Sequence, residues 1–110
     1  MAFEWLTQDS RDFLARGYLI NGTTAEKRVE EIANTAEDWL NLSGFSEKFY
    51  DYMSKGWYSL SSPIWANFGL DRGLPISCYG SYVDDSMIGI LNSAKEIGVM
   101  SKYGGGTSAF

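Results

Sequence analysis

The sequence has no histidine, one cysteine and two prolines, and its nine basic residues are outnumbered by fourteen acidic ones. Without histidine, the commonest metal ligand and the side chain that most readily moves protons near neutral pH are both missing, so no metal site is expected. A single cysteine cannot close a disulfide within the chain. A net charge of −5 leaves no basic footprint for a phosphodiester backbone, and nucleic acid is not an expected partner. No window approaches the roughly 18 apolar residues of a membrane span. The opening Met1-Ala2-Phe3-Glu4-Trp5 also lacks the basic end and apolar run of a secretory leader. These absences together set the expectation of a cytoplasmic, reducing compartment with no membrane contact.

What is present reads as globular. The chain has 110 residues, 45% of them hydrophobic and 21% charged, enough apolar material for one small core. Four Trp, seven Tyr and six Phe are a heavy aromatic load, because large rings need several packed layers to bury them. Some rings are therefore expected at the surface.

Three helices are expected before any strand. Thr7 caps the first, over about 8–16, with Asp9 and Asp12 near its positive end and Gly17 placed for a left-handed cap. Thr23 and Glu26 have capping-box spacing for the second, in which Val29, Ile32, Ala33, Ala36, Trp39 and Leu40 form one apolar stripe. Glu26, Arg28, Glu30, Glu31, Glu37 and Asp38 then make a solvated face. Ser46 caps the third, with Phe45 stapled to Tyr50, and Gly56 stops it. From Trp57 to Gly73, Pro63, Asn67, Gly69 and Gly73 break any period, so an irregular connection is expected.

The stretch from Leu74 to Phe110 is the centre of the chain's organisation. Leu74, Ile76 and Cys78 alternate, and with Tyr79, Tyr82 and Val83 they predict one buried strand. Asp84 and Asp85 follow as helix caps. From Ser86 to Tyr103 the set Met87, Ile90, Leu91, Ala94 and Ile97 recurs at helical spacing until three glycines end it. This is half of a βαβ repeat, and it places the chain in an α-rich α/β class.

Chemistry read from these residues alone is sparse. Gly104-Gly105-Gly106-Thr107-Ser108 can bring backbone N–H groups close to an anion, but no Lys-Ser/Thr follows and helix capping also accounts for Gly104. Ser62 and Ser77 are hydroxyls among apolar neighbours, which need a partner in local backbone or in a ligand. Cys78 reads as a small buried hydrophobe. Asp84 and Asp85 are adjacent, point in different directions, and are better caps than an acid/base dyad.

The words SLSSPIW, RGLPISC, DDSM and GGGTSA, in this order and at these separations, resemble the large (alpha) subunit of ribonucleotide reductase. The resemblance is specific over Trp57 to Phe110 and looser before it. It implies a helical N-terminal segment at 1–56 and, at 57–110, the opening of the family's ten-stranded α/β barrel, left incomplete. Since reductase alpha chains are several times longer, it also implies a truncated or split subunit.

By this resemblance Cys78 is one member of the redox pair that delivers two electrons to the substrate ribose. Its partner and the radical cysteine lie further along complete subunits. Ser62, Ser77, Gly105 and Gly106 match substrate-binding positions; the first is often Thr in the family. Asp85, Ser86 and Met87 match the motif that reads the deoxynucleoside triphosphate effector. No cofactor is expected on this stretch itself. The complete enzyme needs a radical generator and a dithiol reductant such as thioredoxin or glutaredoxin. The implied partners are the remainder of the alpha subunit, a second alpha subunit and a radical-generating beta subunit. The alternative is a noncatalytic helical interaction or scaffold protein derived from such a fragment, binding through exposed aromatics.

Overall fold

The first helix forms where Thr7 can cap it. In the computed structural model, which describes residues 2–110, α1 (Gln8–Gly17) begins with Thr7 Oγ1 accepting from the Ser10 N–H at 3.2 Å, and Asp9 lies in its first turn. Gly17 is the last helical residue and not a left-handed cap; Tyr18 closes the helix in a right-handed conformation. α2 (Ala25–Leu40) is capped by Thr24, whose hydroxyl accepts from the Lys27 N–H at 3.3 Å, and not by Thr23. Glu26 therefore completes no capping box, and instead takes both arms of the Arg11 guanidinium at 2.6 and 3.0 Å.

α3 (Phe45–Ser54) follows a left-handed Gly44 and has no side-chain cap of its own. A residue of α2 replaces it: Glu37 accepts from the Gly44 N–H at 2.6 Å and from the Ser46 hydroxyl at 3.0 Å. Ser46 is thus a donor to Glu37 and not the helix cap, and Phe45 meets Phe49, with ring centroids 5.9 Å apart. Lys55 caps the end of α3, after which Gly56 turns left-handed at φ +72°. Gly56 is required there twice over, since a Cβ would stand 2.8 Å from Trp5 Cδ1.

The chain divides into two units, one ending at Gly69 and the other running from Leu70 to Phe110. The first unit's core joins Phe3, Leu6, Leu14, Ala25, Val29, Met53 and Trp65. The N-terminal segment belongs to it because the Phe3 N–H donates to the Ser54 carbonyl at 2.7 Å and Trp5 Nε1 to the Met53 carbonyl at 2.9 Å. The apolar stripe of α2 is covered only along its first half: Val29, Ile32 and Ala33 are buried, whereas Trp39 and Leu40 are exposed. Arg28, expected on the solvated face, is buried. The stretch expected to be irregular contains α4 (Ser62–Asn67), which tolerates Pro63 because first-turn N–H groups have no intrahelical partner.

The second unit is a whole βαβ repeat, where only half was expected. β1 (Cys78–Ser81) and β2 (Gly106–Ala109) pair in parallel, joined by α5 (Met87–Lys102). The last glycine therefore opens a strand. β1 is shorter than the expected 74–83 and none of its residues is buried. The reason is pairing: a ladder extends only as far as its partner, and β2 has four residues. The cap of α5 is Ser86, which accepts from the Gly89 N–H at 2.9 Å, and neither aspartate takes that place. Gly104 does adopt the left-handed conformation expected after the helix, at φ +87°.

Candidate functional site

Four of the singled-out residues meet at the amino-terminal ends of the two strands. Cys78 lies opposite Gly106 in the parallel register, and the Ser77 carbonyl accepts from the Gly106 N–H at 2.6 Å. The Ser77 hydroxyl is 3.8 Å from Cys78 Sγ. Cys78 is exposed, contrary to its reading as a buried hydrophobe, and Ser77 is half-buried.

The glycines offer close approach and not hydrogen-bond donation. The N–H groups of Gly104, Gly105 and Gly106 donate to the carbonyls of Ser101, Met100 and Ser77 at 3.0, 3.0 and 2.6 Å. An anion cradle of free N–H groups is therefore not formed by these three. Gly105 instead lies against the Tyr79 ring, which is tethered by its hydroxyl to the Ile76 carbonyl at 2.8 Å.

Asp85, Ser86 and Met87 gather at the start of α5, beyond the carboxyl end of β1. All three are exposed. Ser86 both caps the helix and donates to Asp84 Oδ2 at 3.1 Å, so the capping network runs through Asp84 and Ser86. Gly89 is forced by this turn, because a Cβ would stand 2.7 Å from the Asp84 carbonyl oxygen. The far side of the turn is tied down by the buried Ser93, whose hydroxyl donates to the Tyr82 carbonyl at 3.1 Å. Ser62 belongs to the other unit, where it is the exposed first residue of α4.

Sequence reasoning missed Arg28, Tyr79 and Ser93. For Arg28 a signal existed: it falls three residues after Ala25 and four before Ile32, on the buried side of α2. Tyr79 and Ser93 carry none, because their roles depend on residues 26 and 11 positions away in the chain.

No protein-family model matches the chain. Against the putative ribonucleoside-diphosphate reductase large subunit of Frog virus 3 it is 41% identical over 108 positions, covering 94% of this chain and 17% of that protein. The corresponding large subunit of Invertebrate iridescent virus 6 is 43% identical over 61 residues, which are 56% of this chain and 6% of the relative. Among solved structures, the Actinobacillus ureae class Id ribonucleotide reductase alpha subunit matches 98% of this chain and 21% of its own, at 61% identity and a TM-score of 0.95. The chain is homologous to part of a ribonucleotide reductase large subunit. It spans less than a fifth of the length of either viral relative, so most of a reductase large subunit has no counterpart in these residues. Among the described residues no helix is long and apolar enough to cross a membrane.

Proposed function

We propose that this chain is the stretch of a ribonucleotide reductase large subunit that carries one redox cysteine, part of the substrate site and part of the effector site. The reaction replaces the ribose 2′-hydroxyl with hydrogen. The hydroxyl leaves as water, and two thiols supply two electrons by closing a disulfide. Cys78 is one of these thiols, the second comes from the remainder of the subunit, and a dithiol reductant such as thioredoxin or glutaredoxin reopens the bond. The radical that starts each turnover comes from a beta subunit.

The observation that carries the reading is the register of Cys78 with Gly106. An exposed thiol lies beside a residue with no side chain, so a sugar can rest against the glycine within reach of the sulfur. Gly105, packed against the Tyr79 ring, adjoins Gly106 and offers only its backbone to a ligand, and the hydroxyls of Ser77 and Ser62 suit phosphate and sugar oxygens. Asp85, exposed and outside the capping network, is suited to accept from an effector sugar hydroxyl, with Ser86 and Met87 beside it.

In the complete subunit β1, α5 and β2 are the opening of a ten-stranded barrel. Two short parallel strands support this, since parallel sheets are normally covered on both faces and rarely stand as pairs. A second alpha subunit packs on α5, and the enzyme works in the cytoplasm. The exposed Met87, Ile88 and Leu91 also suit a noncatalytic scaffold, which would need no thiol. Cys78→Ser in the complete subunit separates the two. Serine keeps the size of the side chain but cannot form a disulfide, so multiple turnover should stop while effector binding persists. Normal turnover with a dithiol reductant would overturn the redox role.

A further inference from the structure

We infer that Arg28 is a positioning residue for Ser62: its guanidinium grips the carboxyl end of α4 and so sets where the substrate-facing end of that helix stands. The inference rests on the reading of Ser62 as a substrate contact. Arg28 is 3% exposed, and each of its three nitrogens donates. Nε reaches the Trp65 carbonyl at 2.8 Å, Nη2 the Phe68 carbonyl at 2.7 Å and the Ile64 carbonyl at 3.3 Å, and Nη1 the Glu31 carboxylate at 3.2 Å.

α4 has six residues, too few to hold a helix on its own. The last carbonyls of a helix carry its partial negative charge, which a guanidinium neutralises, and most lack an intrahelical donor; of the three held here, that of Ile64 also accepts from the Phe68 N–H at 3.2 Å. Two more contacts from α2 hold the same end. A Cβ on Gly69 would stand 3.0 Å from Thr35 Cγ2, and the Trp39 and Phe68 ring centroids are 5.2 Å apart. One helix thus fixes the far end of α4, while Ser62 projects from the near end.

The ion pair does not account for the choice of arginine, since its charged partner Glu31 is 56% exposed and a pair that open to solvent contributes little. Only a planar fork of donors, however, can hold three carbonyls from one turn in a single orientation.

The test uses the complete large subunit containing this stretch. Arg28→Gln is expected to raise KM for the ribonucleotide about tenfold, with kcat within about twofold and half-saturation by the effector unchanged. Arg28→Lys keeps the charge and loses the fork, and should raise KM about threefold. Ser62→Ala should raise KM as well, and the Arg28→Gln/Ser62→Ala double variant should be no worse than the worse single one, because both remove the same contact. An unchanged KM in Ser62→Ala would overturn the substrate reading of Ser62. A raised KM there, with a normal KM in Arg28→Gln or with additive effects in the double variant, would overturn the positioning role alone. If Arg28→Gln does not fold, Arg28→Lys decides: a threefold rise supports the role and a wild-type KM overturns it.

Discussion

Gly105 lies so close to Tyr79 that a methyl group on it would stand 2.6 Å from Tyr79 Cδ2. The ring cannot easily retreat, since its hydroxyl holds the Ile76 carbonyl at 2.8 Å. A glycine proposed as a substrate contact therefore has a packing reason to be glycine as well. Gly105→Ala should cost about 1–3 kcal/mol in denaturant unfolding, the range for overpacking a tight contact. Gly98→Ala is the control, because nothing lies within 4 Å of a Cβ there. It should stabilise α5 by about 0.5–1 kcal/mol. Wild-type stability in Gly105→Ala would mean that the ring yields.

Asp84 and Asp85 should behave differently although they are adjacent. Asp84 accepts from the capping Ser86 hydroxyl, so Asp84→Ala should loosen the start of α5, and Ser86→Ala should cost about 1 kcal/mol as a lost cap. Asp85→Ala should leave stability within about 0.5 kcal/mol. In the complete subunit it should weaken deoxynucleoside triphosphate binding by roughly 1.5–3 kcal/mol, about ten- to a hundredfold, if its carboxylate holds the effector sugar. Equal weakening in both aspartate variants, read by equilibrium binding, would refute the assignment to Asp85.

Glu37 links α2 to α3 in a way that depends on pH. The Ser46 hydroxyl, opposed by lost hydration and aided by the backbone N–H groups of Gly44, Ser46 and Phe45, holds its carboxyl below the ordinary value of 4.5. A carboxyl depressed in the folded state contributes stability that is fully present above 4.5 and lost as pH falls through the folded value. Glu37→Gln should therefore melt earlier than wild type at neutral pH. The gap in Tm should close below pH 4.5, and a gap independent of pH would rule out this source.

The Arg11–Glu26 pair should respond to salt. The guanidinium of Arg11 is the main influence lowering the Glu26 carboxyl, and Glu26 in turn raises Arg11. Both side chains are about one-third exposed, so the attraction is partly screened by solvent. Glu26→Gln should lower Tm at low ionic strength, and the difference should shrink at about 1 M salt.

The outer face of α5 should make the isolated chain self-associate. Met87 and Ile88 are 71% and 72% exposed and Leu91 60%, a cluster that soluble monomers seldom show. Sedimentation should detect concentration-dependent assembly, and Ile88→Glu with Leu91→Glu should reduce it. A wild-type chain that stays monomeric at high concentration would contradict this expectation.

Local chemistry was enough to place α1, α2, α3 and α5 in the chain, because helical spacing of apolar residues and hydroxyl caps act within a few positions. Thr7 before α1, Gly56 after α3 and Gly104 after α5 are all legible on that scale. The resemblance to reductases was legible for the same reason, being carried by short words.

Long-range partners decided the rest. Whether Gly106 opens a strand depends on Ser77 accepting its N–H from 29 residues away. Glu37 caps a helix that begins eight residues later, and Arg28 is buried because the carbonyls of residues 64, 65 and 68 come to it. Propensity acts between neighbours, whereas hydrogen bonding and burial depend on which distant groups the folded chain delivers. Cys78 shows the difference: the strand type was readable from its neighbours, but its place opposite Gly106 follows only from the pairing of β1 with β2.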